Sequence, residues 1–203
     1  MARISSEDFN NTKQRLLEVG LNFFESKGYS ATGLQEIAKE AGISKGSFYS
    51  YFPSKEDFGV AVIDFYTQRS IRTWRVMLQE ALKTEKAITA LKNSFFTIIE
   101  KYKDVEKKKG CLVGTLAAEI SEASEICRIE LNRSVLDYKN LIGEYLILGQ
   151  SQGEIRKDVS PENLAGMVWD CWQGGLLRMK IENSIKPVVN DMTLLFEMIL
   201  PPK

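Results

Sequence analysis

Apolar residues recur along most of the chain at spacings of three and four and do not alternate as a half-buried strand would, so the pattern predicts an all-α protein. Leu16, Leu17, Gly20, Leu21 and Phe24 mark the buried stripe of a first helix running from about Glu7 to Lys27. Ser6 is placed as its N-cap, Glu7 and Asp8 lie at its positive end, and Lys27-Gly28 ends it. Thr32 and Gln35, three apart, fit a capping box at the start of a short second helix that turns Leu34, Ile37 and Ala38 inward. Gly42 then supplies a residue able to take the left-handed conformation, and Ser44 caps a third helix about two turns long with Phe48 pointing to the core. That helix must stop before Pro53.

Ser54 and Asp57 repeat the capping-box spacing and open a long fourth helix through Phe58, Val62 and Phe65 to about Leu82. A fifth spans Ala87 to Lys103 with Ile88, Leu91, Phe95, Ile98, Ile99 and Tyr102 on its apolar side, and Glu106 to Gly110 reads as a charged loop. Cys111 to Ile120 is a short apolar sixth helix, and Ser121 or Ser124 caps a seventh that reaches Gly153. Ser160-Pro161-Glu162 combines an N-cap serine, a proline at the first helical position and an acid in the first turn. The eighth helix runs from there to about Ser184, and Pro187 precedes a ninth ending near Leu200.

Composition narrows what such a bundle does. The 27 basic residues balance 27 acidic ones, so any nucleic-acid-binding face must be local. Histidine is absent and no Gly-rich phosphate loop is visible, which removes the commonest general base and leaves an all-helical enzyme with no assembled acid–base set. Cys111, Cys127 and Cys171 are odd in number and widely spaced, which fits reduced thiols and neither a disulfide framework nor a zinc site. No stretch approaches the roughly 18 apolar residues of a membrane span, and no signal-like segment opens the chain. The expectation is a cytoplasmic protein without a cofactor or a metal.

Two short helices joined at Gly42 have helix-turn-helix proportions, in which the second helix enters the major groove. The second presents Ser44, Lys45, Gly46, Ser47, Tyr49 and Ser50, a small, hydrogen-bonding surface that can come close to DNA. Lys55, beginning the next helix, adds a phosphate contact. The runs Gly28 to Thr32, Ile37 to Tyr49 and Tyr51 to Glu56 together resemble the TetR family of bacterial regulators over the first third of the chain.

That resemblance implies a nine-helix fold, with residues 1–53 a three-helix DNA-binding domain and 54–203 an effector-binding and dimerisation domain. It implies that Thr32, Ser44, Lys45, Gly46, Ser47, Tyr49, Ser50 and Lys55 face DNA, with Ser50 standing where many members carry histidine. It implies a homodimer on a palindromic operator, its two recognition helices about one turn of DNA apart, roughly 34 Å. The apolar stripes of the last two helices are the expected interface: Leu164, Val168, Cys171, Trp172, Gly175, Leu176 and Met179, then Met192, Leu195, Phe196 and Ile199. Candidate walls of a pocket for a small apolar or aromatic effector are Tyr66, Trp74, Phe95, Phe96, Tyr102, Leu116, Tyr138 and Trp169. The run Gly110 to Glu119 resembles NemR-like members, which respond to electrophiles. In that alternative Cys111, at a helix start after Lys107, Lys108 and Lys109, is a thiol sensor, its thiolate favoured by the helix dipole and nearby cations.

Overall fold

Ser44 and Ser54 set the beginning of the molecule. In the computed structural model, which describes residues 6–103 and 110–202, Ser44 Oγ accepts from Ser47 N at 3.0 Å and Ser54 Oγ from Asp57 N at 3.0 Å. Each bond satisfies an amide that a helix start leaves unpaired. The elements are α1 (Ser6–Lys27), α2 (Leu34–Glu40), α3 (Lys45–Phe48), α4 (Lys55–Ala81), α5 (Ala87–Lys101), α6 (Leu112–Ile120), α7 (Glu125–Ser151), α8 (Pro161–Ile181) and α9 (Lys186–Leu194). A π-helical turn, Leu195–Ile199, continues α9. No strand occurs among the described residues, so the all-α, nine-helix expectation stands.

Several local expectations need correcting. Ser6 is the first residue of α1, within the helix. The Thr32–Gln35 capping box does not form: Gly33 is the N-cap of α2 without a side-chain bond, and Thr32 Oγ1 donates back to the Gly28 carbonyl at 2.6 Å. Helix α3 keeps one regular turn before Tyr51 N and Phe52 N both bond to the Phe48 carbonyl and close it. Pro187 lies inside the first turn of α9, where its missing N–H costs nothing. Lys107, Lys108 and Lys109 lie outside the described residues.

The chain forms two compact units, Met1–Gln68 with Leu112–Ser134, and Arg69–Cys111 with Val135–Lys203. This division differs from the expected one after Pro53, and packing explains the difference. Phe58, on the first turn of α4, lies 4.9–5.9 Å from the rings of Phe24, Phe48 and Phe52 and closes the core of the first unit. Glycine is required at position 20 of α1, because a Cβ there would stand 2.3 Å from the Phe58 ring. In the second unit α8 packs on α9, with a Cβ on Gly175 meeting Val188 Cα at 2.9 Å.

Candidate nucleic-acid interface

Helices α2 and α3 meet at Gly42, whose φ of +69° is the left-handed turn conformation that glycine takes without steric cost. Ile37, Ala38, Ala41 and Phe48 lock the pair to the core at 0–1% exposure. The outer surface of α3 and the turn after it is thereby fixed: Ser44, Lys45, Gly46, Ser47, Tyr49 and Ser50 are all exposed. Burying Phe48 is what aims Lys45, Gly46 and Tyr49 outward.

Not every expected contact residue is available on that surface. Thr32 is 1% exposed and its hydroxyl is used within the head, so its side chain does not join the others. The Ser44 hydroxyl is engaged twice, by Ser47 N and, at 2.8 Å, by the Ser47 hydroxyl, which makes Ser44 primarily the cap of α3. Lys55 is half-buried, its ammonium 4.4 Å from the centre of the Tyr29 ring and 3.5 Å from the Ser30 carbonyl oxygen. Burial lowers its pKa while Glu119 acts in the opposite sense.

Gly46 has open space around it. A Cβ there would find only Ser44 Oγ, at an ordinary 3.7 Å. The fold therefore does not demand glycine, and a helical alanine is intrinsically favoured over glycine by roughly 0.5–1 kcal/mol. Gly46→Ala is expected to leave the melting temperature unchanged or slightly raised while weakening operator binding about tenfold, because the methyl group is added to the surface expected to meet DNA. Calorimetry and fluorescence anisotropy on the same preparation check both halves.

Sequence reasoning missed one residue that organises the head. Glu119, near the end of α6, accepts from Tyr29 N at 3.0 Å and from Ser30 N at 2.6 Å, in the loop before α2. Burial opposes its ionisation, but the two amide bonds and the nearby Lys55 outweigh that and hold the carboxyl below its ordinary pKa. Burial, with Cys127, Glu56 and Glu119 adding to it, raises the Tyr29 phenol to about 12, so it stays neutral under the Lys55 cation.

The remaining expected sites divide differently from the sequence picture. Trp74, Phe95, Tyr138 and Trp169 do come together in the second unit, with Trp74 4.8 Å from Phe95 and Tyr138 stacked 4.7 Å from Trp169. Trp172 and Phe196, expected at the dimer interface, belong to this aromatic cluster through Phe95, at 5.1 and 6.0 Å. Phe96 turns away, with Lys92 5.9 Å from its ring, and the Tyr102 hydroxyl donates to the Gly110 carbonyl at 3.4 Å. Tyr66 and Leu116 fall in the first unit, where the Tyr66 hydroxyl accepts from Leu112 N and Leu116 is fully buried. A surface groove beside Leu136, Gly143, Ile147, Pro161 and Ala165 includes none of these aromatic residues.

The expected interface stripe is also corrected. Leu164, Val168, Trp172, Gly175, Leu176, Met179, Met192, Leu195 and Phe196 are buried inside the one chain, Cys171 is half-buried, and only Ile199 is exposed. Helix α8 also carries bare apolar side chains, Met167, Leu177 and Ile181, and so do α9 and its π-helical turn, with Leu194, Met198 and Ile199. These are six of the twelve large hydrophobic residues that are exposed among the described residues. Gly174 lies on the same exposed side of α8 with nothing within 4 Å of a Cβ.

Cys111 directly precedes α6 and is 8% exposed. Lys180 comes beside it: a Cβ on neighbouring Gly110 would lie 2.7 Å from Lys180 Cε and 3.3 Å from Nζ. Burial lowers the Lys180 pKa and the Cys111 charge raises it. Burial raises the thiol pKa of both Cys127 and Cys171, which keeps them protonated. Among the described residues no helix is long and apolar enough to cross a membrane, and no His, Cys, Asp and Glu cluster is placed to hold a metal.

An anchored two-helix pair with a small, lysine-bearing outer surface is the arrangement of helix-turn-helix DNA-binding regulators. Comparison with known proteins agrees. Residues 16–62 match the profile of the bacterial regulatory proteins of the tetR family, and residues 86–194 match the tetracyclin repressor-like C-terminal domain. The chain is 36% identical over 189 residues to the HTH-type transcriptional repressor DhaR of Mycobacterium sp. (strain GP1), covering 93% of this chain and 92% of that protein. It is 32% identical over 183 residues to the transcriptional regulator AcuR of Cereibacter sphaeroides, covering 89% and 82%. Among solved structures, the reduced form of E. coli NemR superposes with a TM-score of 0.85 at 26% identity, covering 94% of this chain and 97% of that one. The chain belongs to the TetR family and is a DNA-binding transcriptional regulator.

Proposed function

We propose that the protein is a homodimeric cytoplasmic repressor that holds a palindromic operator through Lys45, Gly46, Ser47, Tyr49 and Ser50 and releases it when a small effector binds. The observation that carries this reading is the exposed face of α3, small around Gly46 and held outward by buried Phe48. Lysine reaches guanine O6 and N7 or a phosphate, and the exposed Tyr49 side chain suits a phosphate beside it. The second copy covers the bare α8–α9 face. The effector occupies the second unit and favours a state whose two heads no longer match the half-site spacing. Transcription in vitro from the promoter upstream of its own gene tests the sign: added protein lowers the transcript yield, whereas a rise overturns repression.

A second reading has its own observation, the approach of the Lys180 side chain to Gly110, the residue before Cys111. Cys111 stands at the start of α6 with the Lys180 side chain close by, and a thiolate is the form that adds to an electrophilic carbon. In this reading alkylation of Cys111 replaces reversible effector binding as the release signal. Cys111→Ser is expected to keep operator binding and lose release by N-ethylmaleimide; release equal to that of the parent protein excludes Cys111 as the sensor.

A further inference from the structure

Buried polar groups are almost always hydrogen-bonded, and leaving one unpaired is costly. Among the described residues of the second unit, two buried side-chain groups have no hydrogen-bond partner, the Tyr138 hydroxyl and the Gln173 amide nitrogen. Tyr138 is 3% exposed, and the Ser70 side chain lies close enough to its hydroxyl to act against the effect of burial. The Tyr138 ring lies nearly parallel to Trp169, at 17° and 4.7 Å between centroids, and Gln173 follows Trp169 by one helical turn on α8. Around them stand Trp74, Phe95 and Trp172 in mutual edge contacts.

We infer that Tyr138 and Gln173 form the polar end of the effector site and take the oxygen of a compact, planar ligand bearing a carbonyl group. This rests on the effector-responsive reading and sharpens it: the ligand is not simply apolar. Both unpaired groups are donors. Burial raises the Tyr138 pKa, with the Cys111 charge adding to it, so the phenol keeps its proton and can only offer it to an acceptor. The amide nitrogen donates as well. A carbonyl oxygen has two lone pairs and can receive both, while flat aromatic walls accept a planar body by stacking or edge contact. Sites built to hydrogen-bond a ligand oxygen discriminate strongly against the analogue that lacks it, since the site's own groups are then left unpaired.

The test compares acetophenone with ethylbenzene, which share a ring and differ chiefly at the carbonyl. Affinities are measured by titration calorimetry, and tryptophan emission reports the location, because all three tryptophans of the chain, Trp74, Trp169 and Trp172, are in this cluster. Acetophenone is expected to bind at least about tenfold more tightly than ethylbenzene. Tyr138→Phe and Gln173→Leu are each expected to bring the ratio to within about threefold, with no fall in the melting temperature of the ligand-free protein. Operator binding is followed in parallel. Equal affinities for the two compounds, or a ratio unchanged in both variants, overturn the carbonyl assignment while leaving effector release itself standing. Absence of binding by either compound overturns it too, and intact operator binding in that sample shows that the DNA-binding reading has not failed with it.

Discussion

Replacing Leu177 and Ile181 together by glutamate is expected to leave a folded monomer whose affinity for operator DNA is about a hundredfold weaker or worse. The two side chains are 60% and 73% exposed, so their loss removes little from the core of the chain. They are instead among the exposed apolar side chains of α8 and the C-terminal segment, with Met167, Leu194, Met198 and Ile199. Four carboxylates brought together in a symmetric contact would have to lose their water while facing one another. Without the dimer the second head binds no longer at the high effective concentration its tether supplies, and that avidity alone is worth about 10² or more. Light scattering and anisotropy check it. A variant that stays dimeric with unchanged operator affinity would show that the partner sits elsewhere.

Glu119→Ala is expected to loosen the loop before α2, at a cost of about 2 kcal/mol to the first unit, allowing for partial exposure of the carboxylate. Two amides, Tyr29 N and Ser30 N, lose a charged acceptor, and Lys55 loses the carboxylate near it. The pH dependence has a definite sign. A carboxyl whose folded pKa is depressed contributes stability that is fully present above the ordinary carboxylate value and disappears as pH falls through the folded one. Thermal melts of the parent protein and of Glu119→Ala should therefore differ most near neutrality and converge below about pH 4. A constant difference from neutral to acid would mean that Glu119 acts through packing and not through its charge.

The helix-turn-helix was legible in the sequence because everything that builds it is local. Ser44 and Ser54 bond amides three residues away, Gly42 turns the chain at its own position, and Phe48 anchors a helix of one turn. Glu119 was not legible, since its bonds reach back 90 and 89 residues and an isolated glutamate on a short helix carries no sign of them. Thr32 shows the opposite failure. Its spacing to Gln35 satisfied a local rule, yet the Gly28 carbonyl, four residues back, captured the hydroxyl.

Periodicity also has a built-in ambiguity on α8. Leu164, Val168, Gly175, Leu176 and Met179 form one apolar stripe, and Met167, Leu177 and Ile181 form another. Hydrophobic spacing says that both are buried in something, but not which partner buries which. The larger, more continuous stripe went to the chain's own core, with Gly175 fitted against Val188, and the smaller one was left outside. The same limit assigned Trp172 and Phe196 to a dimer contact when they belong to the aromatic cluster around Phe95. Phe95 and Phe96, adjacent in sequence, point to different surroundings for the simple reason that neighbouring helical positions are about 100° apart.

Anisotropy on the fragment upstream of the protein's own gene, across a salt series, tests whether α3 reads DNA through its exposed, small-residue face. The parent protein is expected to bind with an affinity that falls as salt rises, and Lys45→Ala to bind at least about tenfold more weakly with its melting temperature preserved. Binding by Lys45→Ala indistinguishable from the parent at every salt concentration would contradict it.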